Sequence, residues 1–221
     1  NYAFNHQQFT YPIITSEAHT FLASELGHPL LQEDKRIDSD LELKNQQFFI
    51  VTGANMAGKS TFLRTVALHI VMSNVGLPVC AKRSKYKPIK LVTSMRTTDS
   101  LTDDSSYFFS ELTRLKFIVD TIELDDSYFI ILDEILKGTN STDKAIGSRK
   151  FVEKLVKLNA TGIIATHDLS LTEIESQLEA VKNYYFDAQI VNDELYFDYK
   201  LKQGVCQNMN ASFLLKKMDI V

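Results

Sequence analysis

The stretch Gly53-Ala54-Asn55-Met56-Ala57-Gly58-Lys59-Ser60 constrains this chain more than any other. It fits G-x-x-x-x-G-K-[ST], a loop that wraps a phosphate chain with its own backbone N–H groups. Its two glycines permit the backbone angles and the close approach that wrapping needs. Gln47 to Thr52 before it (QFFIVT) is an apolar run ending in glycine, as expected of a strand buried on both faces. Lys59 to Asn74 after it carries apolar residues at helical spacing and closes near Gly76. A strand, a glycine-rich loop and a helix in this order set bound phosphate against the positive end of the helix. Within such a loop Lys59 reaches the β- and γ-phosphates and the Ser60 hydroxyl ligates Mg²⁺. ATP and Mg²⁺ are therefore the expected ligands.

A second apolar run, Tyr128-Phe129-Ile130-Ile131-Leu132, ends in Asp133-Glu134. Adjacent acids after a strand are by themselves ordinary loop residues. Downstream of a phosphate loop they acquire a role, because sheet ligands bind at the carboxyl ends of strands. Asp133 is expected to hold Mg²⁺ and Glu134 to polarise the attacking water as general base. Thr161 to Ala165 reads as a third strand, closed by Thr166-His167. Position alone leaves His167 either a hydrogen-bonded loop residue or a sensor of the γ-phosphate.

The expected architecture is α/β, with a mostly parallel sheet flanked by helices and some antiparallel structure at its edges. Ile89 to Met95 completes the set of strands; Ser106 to Leu124, Lys144 to Leu158 and Leu169 to Leu178 read as helices. So does Ser16 to Leu26, stopped by Gly27 and Pro29, with Gln32 to Asp40 a polar loop. Asn183 to Lys200 reads as a hairpin turning at Asn192-Asp193, and Ala211 to Met218 as the start of a helix. No repeat or linker divides the chain, so one domain is expected: a lead-in over 1–46, a core over 47–200 and a C-terminal helical element beginning in 201–221.

The 221 residues are ample for a buried core, and a net charge of −4 argues against a strongly basic surface for generic nucleic-acid binding. Cys80 and Cys206 stand among apolar neighbours, without metal-ligand spacing, and read as core residues of a cytoplasmic protein. No apolar run is long enough to span a bilayer. A chain that begins at Asn1 is expected to be a piece of something longer.

The motifs together resemble the MutS family. GANMAGKST is similar to its phosphate loop, with Asn55 and Met56 going beyond what phosphate binding demands. Asp99 to Leu112 resembles the family's signature segment, roughly DDLxxGxSTFxxEM, and sets Ser106 at the signature serine. Asp133-Glu134-Ile135 with Gly138-Thr139 and Asp143 resembles DEIGRGTSTxDG, and Thr166-His167 resembles ATH. Gly27-His28-Pro29-Leu30 and Tyr199-Lys200-Leu201 are weaker echoes that extend the likeness over nearly the whole chain. Ala54 and Ala57 depart from the usual Pro and Gly, while Asp104 and Lys144 replace glycines and Tyr107 a threonine.

The resemblance implies a P-loop ATPase of the ABC class. Its catalytic residues would be Lys59, Glu134 and His167, its Mg²⁺ ligands Ser60 and Asp133, and its nucleotide would lie on Gly53 to Thr61. It also implies a homodimer paired head to tail, in which Ser106 of one subunit faces ATP held by the other. ATP would then drive DNA-acting domains outside this chain, with downstream repair proteins as further partners in DNA mismatch repair. An alternative is a nucleotide-gated dimerisation module with negligible hydrolysis, in which Asp104 repels a γ-phosphate, within a MutS-like protein not devoted to mismatch repair. A transporter's nucleotide-binding domain lacks support, because no LSGGQ-like signature precedes Asp133.

Three further features have plainer readings. Lys82 to Lys87 is a basic run that reads as a solvated loop rather than a DNA contact; Phe108, Phe109 and Phe117 read as core. His28 or Ile37, which precede the phosphate-loop strand, are candidates to carry the adenine. Lys59→Ala is expected to abolish tight binding of ATP; unchanged affinity in equilibrium titration would remove the phosphate-loop assignment.

Overall fold

The computed structural model describes residues 2–16, 19–95, 104–125, 127–192 and 194–207. The expected helix at Ala211 to Met218 and the signature residues 99–103 lie outside them, as do the side chains of Asp104, Ser106 and Tyr107.

A short helix α1 (Tyr2–Asn5) leads into strands β1 (Phe9–Thr10), β2 (Ile13–Ile14), β3 (His19–Leu26) and β4 (Ser39–Lys44). The core unit begins at β5 (Phe48–Gly53) and α2 (Lys59–Asn74), followed by β6 (Val79–Cys80), β7 (Arg83–Tyr86) and β8 (Lys90–Ser94). Helix α3 (Asp104–Leu124), β9 (Tyr128–Asp133), α4 (Ser141–Lys157) and β10 (Thr161–Ala165) complete the alternation. A 3-10 helix (Leu169–Ser176) leads to β11 (Val181–Phe186), β12 (Gln189–Val191), β13 (Glu194–Tyr196) and β14 (Leu201–Gln203).

Six strands form the main sheet in the order β14-β11-β5-β10-β9-β8. The five from β11 to β8 run parallel, and β14 pairs antiparallel at one edge. The apolar runs are explained by burial on both faces. Phe49, Val51, Phe129, Ile131 and Ile163 pack with Leu63, Val66 and Ile70 of α2. Their neighbours Phe48, Ile50, Ile130, Leu132 and Ile164 point the other way, onto α3, α4 and the 3-10 helix. Each large side chain so buried contributes roughly 1.5–3 kcal/mol.

A second sheet, β2-β7-β3-β4, covers the outer flank of α2. Phe21, Leu41 and Leu43 share the core on the α2 side. His69 of α2 hydrogen-bonds Ser84 of β7 at 2.9 Å, the Tyr86 hydroxyl donates to the Ser73 carbonyl at 2.6 Å, and the Phe21 ring meets His69 edge-on. Cys80 and Cys206 are both buried thiols.

Several expectations change. The helix expected over Ser16 to Leu26 is not found among the described residues of that stretch. Its last eight residues form β3, paired with both β4 and β7, and buried Phe21 and Ala23 alternate with more open Leu22 and Ser24. Pairing on two sides outweighs the helical propensity of Leu, Ala and Glu. The polar loop ends sooner than expected, because Ser39 and Asp40 already belong to β4. The basic run is likewise a strand, β7, in which Ser84 and Tyr86 turn inward.

Phe108 packs against the core, but Phe109 and Phe117 are 71% and 51% exposed. The buried stripe of α3 runs through Leu115, Ile118 and Ile122 instead, and the Arg114 guanidinium lies over the Phe117 ring. The helix at Leu169 to Leu178 is a 3-10 helix ending at Ser176. The hairpin turns next to Asn192 as expected, with Asp193 outside the described residues, but it divides. Its tip pairs β12 with β13, while its base continues to Gln203 and joins the main sheet through β11.

Gly162 of β10 sits where a side chain has no room: a Cβ there would meet the Ile130 carbonyl at 2.5 Å and the Ile130 Cβ at 2.9 Å. Backbone on a neighbouring strand cannot yield without opening the sheet. Gly162→Ala is expected to destabilise the fold by about 2–3 kcal/mol, read as a lowered urea midpoint; an unchanged midpoint would mean that the two strands are less tightly apposed.

Candidate functional site

Three parallel strands end side by side at one edge of the main sheet. Strand β5 runs into the glycine-rich loop, β9 delivers Asp133 and Glu134, and β10 delivers Thr166 and His167. Around this edge lies a cleft of about 680 Å³, within the range of small-ligand sites.

The loop leaves β5 through Gly53, at φ 144°, and enters α2 through Gly58, at φ 106°. Both angles favour glycine. A Cβ on Gly58 would also press to 3.2 Å from the Tyr199 ring. Between them Ala57 is fully buried, Met56 is 81% exposed at φ 66°, and Ala54 packs partly against the core. Asn55, Met56, Ser60 and Thr61 face the cleft. No side chain caps the first turn of α2, so its N–H groups remain available there.

Lys59 is buried, and its ammonium group donates to the carbonyls of Gly53 and Ala54, both at 2.7 Å. The cation thus braces the loop from inside. Burial lowers the Lys59 pKa to about 8, against the opposing charges of Glu134 and Asp133.

Glu134 has φ 55°, and its N–H donates to the Ala165 carbonyl at 2.9 Å, which fixes its backbone. Its carboxylate is surrounded by basic groups. Lys137 contacts Oε2, while Lys144 stands 3.6 Å and His167 Nε2 3.8 Å from Oε1. Burial raises the Glu134 pKa, but the hydrogen bond and charge of Lys137, with His167 and Lys144, outweigh it and hold the group below the usual carboxylate range. Burial and the Lys59 charge lower the His167 pKa and so favour the neutral imidazole, against the opposing charge of Glu134. Asp133, beside Ala165 in the sheet, also lines the cleft.

The structure therefore brings together the glycine-rich loop, Asp133, Glu134 and His167. Ser106 falls in the first turn of α3, and its side chain lies outside the described residues. His28 and Ile37 do line the cleft, together with Tyr199, Phe186 and Arg64, which the sequence reading had not assigned to a site. Tyr199 arrives there at φ 54° from the break in the hairpin. Two more unassigned groups shape the Glu134 loop. Lys137 lies three residues beyond Glu134 in the loop, and Glu111 of α3 accepts the N–H groups of Leu136 at 2.7 Å and Lys137 at 3.2 Å. The spacing of Lys137 was a signal available in the sequence; the reach of Glu111 across α3 was not.

The profile described as MutS domain V matches residues 49–216. The chain belongs to the MutS family. It is 32% identical over 195 residues to the human MutS protein homolog 4, covering 83% of this chain and 20% of that protein. It is 31% identical over 205 residues to the DNA mismatch repair protein MutS of Methanococcoides burtonii, covering 89% and 23%. It is 32% identical over 173 residues to the protein of the same name from Acetivibrio thermocellus, covering 77% and 20%. The chain spans about a fifth of the length of these curated MutS relatives. Among the described residues, no helix is long and apolar enough to cross a membrane.

The buried lysine gives this MutS chain a pH signature. Below pH 8 both the folded and the unfolded chain hold the Lys59 proton, and the cost of burying the charge stands in full. Between about 8 and 10.5 the folded chain releases it first, so the unfolded chain binds more protons and stability rises with pH. Relative to Lys59→Met, the wild type is expected to gain about 3 kcal/mol across that window, checked by urea unfolding at its two ends. Parallel pH dependences in the two proteins would place the titration elsewhere.

Proposed function

We propose that this chain is a Mg²⁺-dependent ATPase domain, a P-loop domain of the ABC class, within a MutS-like DNA mismatch repair protein. The observation that carries the reading is the meeting of Lys59, Asp133, Glu134 and His167 around one cleft of nucleotide size. Phosphates lie along the glycine-rich loop and the open first turn of α2, and the base lies toward His28, Ile37 and Tyr199. Lys59 exchanges its bonds to the Gly53 and Ala54 carbonyls for bonds to phosphate oxygens.

The donor set suits Mg²⁺. Among the described residues no cluster of three or more His, Cys, Asp or Glu is present to cage an ion. Mg²⁺ needs none, because it takes one or two protein ligands and fills its shell with water and phosphate oxygens. Ser60 and Asp133 would hold it, and when bound it would neutralise phosphate charge. Glu134 accepts a proton from water as the water oxygen adds to the γ-phosphorus and the bond to the β-phosphate oxygen breaks. ADP and inorganic phosphate result. His167, which lines the cleft beside Glu134, would hydrogen-bond the γ-phosphate.

Two copies pair head to tail, with the first turn of α3 carrying Ser106 to the partner's nucleotide. Support comes from the apolar surface that Phe109 and Leu112 expose just beyond that turn. ATP in the paired sites then drives DNA-acting domains outside this chain. A second reading, a nucleotide-gated dimerisation module with negligible hydrolysis, draws support from the cations already engaging both oxygens of Glu134.

ATP turnover per chain, followed as protein concentration is raised, tests the first reading; the rate is expected to rise as dimers form. Glu134→Gln should lower turnover by about 100-fold or more and leave Mg-ATP affinity intact. A module that only gates dimerisation would be indifferent to that substitution.

A further inference from the structure

The basic groups around Glu134 differ in one respect. Lys137 and His167 line the cleft, so both can turn toward an anion that enters it. Lys144 does not line it; its side chain approaches Glu134 from the first turn of α4 and is 24% exposed. No other acid among the described residues pairs with it.

Its position runs against local electrostatics. Asn140 caps α4, accepting the Asp143 N–H at 2.9 Å, and Lys144 is the fourth residue of the helix. A cation near the positive end of a helix is unfavourable, whereas Asp143 in the same turn is favourable. Glu134, 3.6 Å from the ammonium group, is what offsets that repulsion. The Glu134 backbone is already fixed by its bond to Ala165, so the pair acts chiefly on where the carboxylate points.

We propose that Lys144 is a positioning residue that restrains the Glu134 carboxylate, so that it slows hydrolysis in the cleft without contributing to nucleotide binding. The inference rests on the ATPase reading above. When phosphate draws Lys137 and His167 away, Oε2 is freed, but Oε1 remains tied to α4. A carboxylate held from one side swings less readily onto an attacking water, and the tie persists through binding because its cation lies outside the cleft.

The test compares wild type, Lys144→Met and Lys144→Arg, using the full chain with Mg-ATP. Lys144→Met keeps most of the side chain's length and removes the charge. Its kcat is expected to rise about threefold to tenfold, the scale of one partly screened ion pair, with KM and directly titrated Mg-ATP affinity unchanged. Lys144→Arg, which keeps the charge, should stay near the wild-type rate. Activity appearing only in Lys144→Met would support the restraint in its strongest form. A fall in kcat or a rise in KM would overturn it, since Lys144 would then be serving the phosphates. Normal Mg-ATP affinity with unaltered turnover would overturn the restraint while leaving the cleft assignment standing. If the wild type binds no Mg-ATP, the ATPase reading fails and the restraint falls with it.

Discussion

The site depends on three adjacent strands, β5, β10 and β9, being buried on both faces. A strand covered by helices on both sides cannot shift by one residue without exchanging its two buried rows, and in β10 only a residue without a Cβ fits beside Ile130, so a slip would drive a side chain into that strand. Register is therefore tightly set. Because the strands are parallel, that precision is delivered at a single edge, where Val51, Ala165 and Asp133 stand in register and Gly53 follows two residues beyond Val51. Helices on the two faces supply the remaining groups: α2 brings Lys59, while α3 braces the Glu134 loop through Glu111.

Within this frame the charges balance one another closely. Lys59 is bonded by carbonyl dipoles, while Asp133 and Glu134 act on it only through their charge. Glu134 instead pairs with Lys137 and Lys144, and the low exposure of these groups strengthens each contact relative to water. The result is a pocket with one buried positive charge under the loop and a separate charge-paired group across from it.

Much of this was legible in the sequence because it is local. The boundaries of α2 and β10 agree with the periodicity residue for residue, since a two-faced strand and a helix opening on Gly58 are encoded within a few positions. What escaped was what depends on pairing or packing at a distance. Strand β3 has the composition of a helix and becomes a strand only because β4 and β7 flank it. Phe109 and Phe117 are as apolar as Ile118, and composition cannot say which face of α3 meets the sheet. Tyr199 reaches the cleft through a break between two paired portions of the hairpin, and neither the break nor its direction has a signature in that segment.

Helix α2 has a further consequence. One end carries the glycine-rich loop, and its flank is pinned to the second sheet by His69–Ser84 and Tyr86–Ser73. Sixteen residues of helix make a rod about 24 Å long. A tilt of about 5° at the loop end would displace the far end by about 2 Å on that length, and the pinned sheet would travel with it as one stiff body. A helix so anchored would act as a lever arm, turning a short stroke at the cleft into a larger one along the opposite flank.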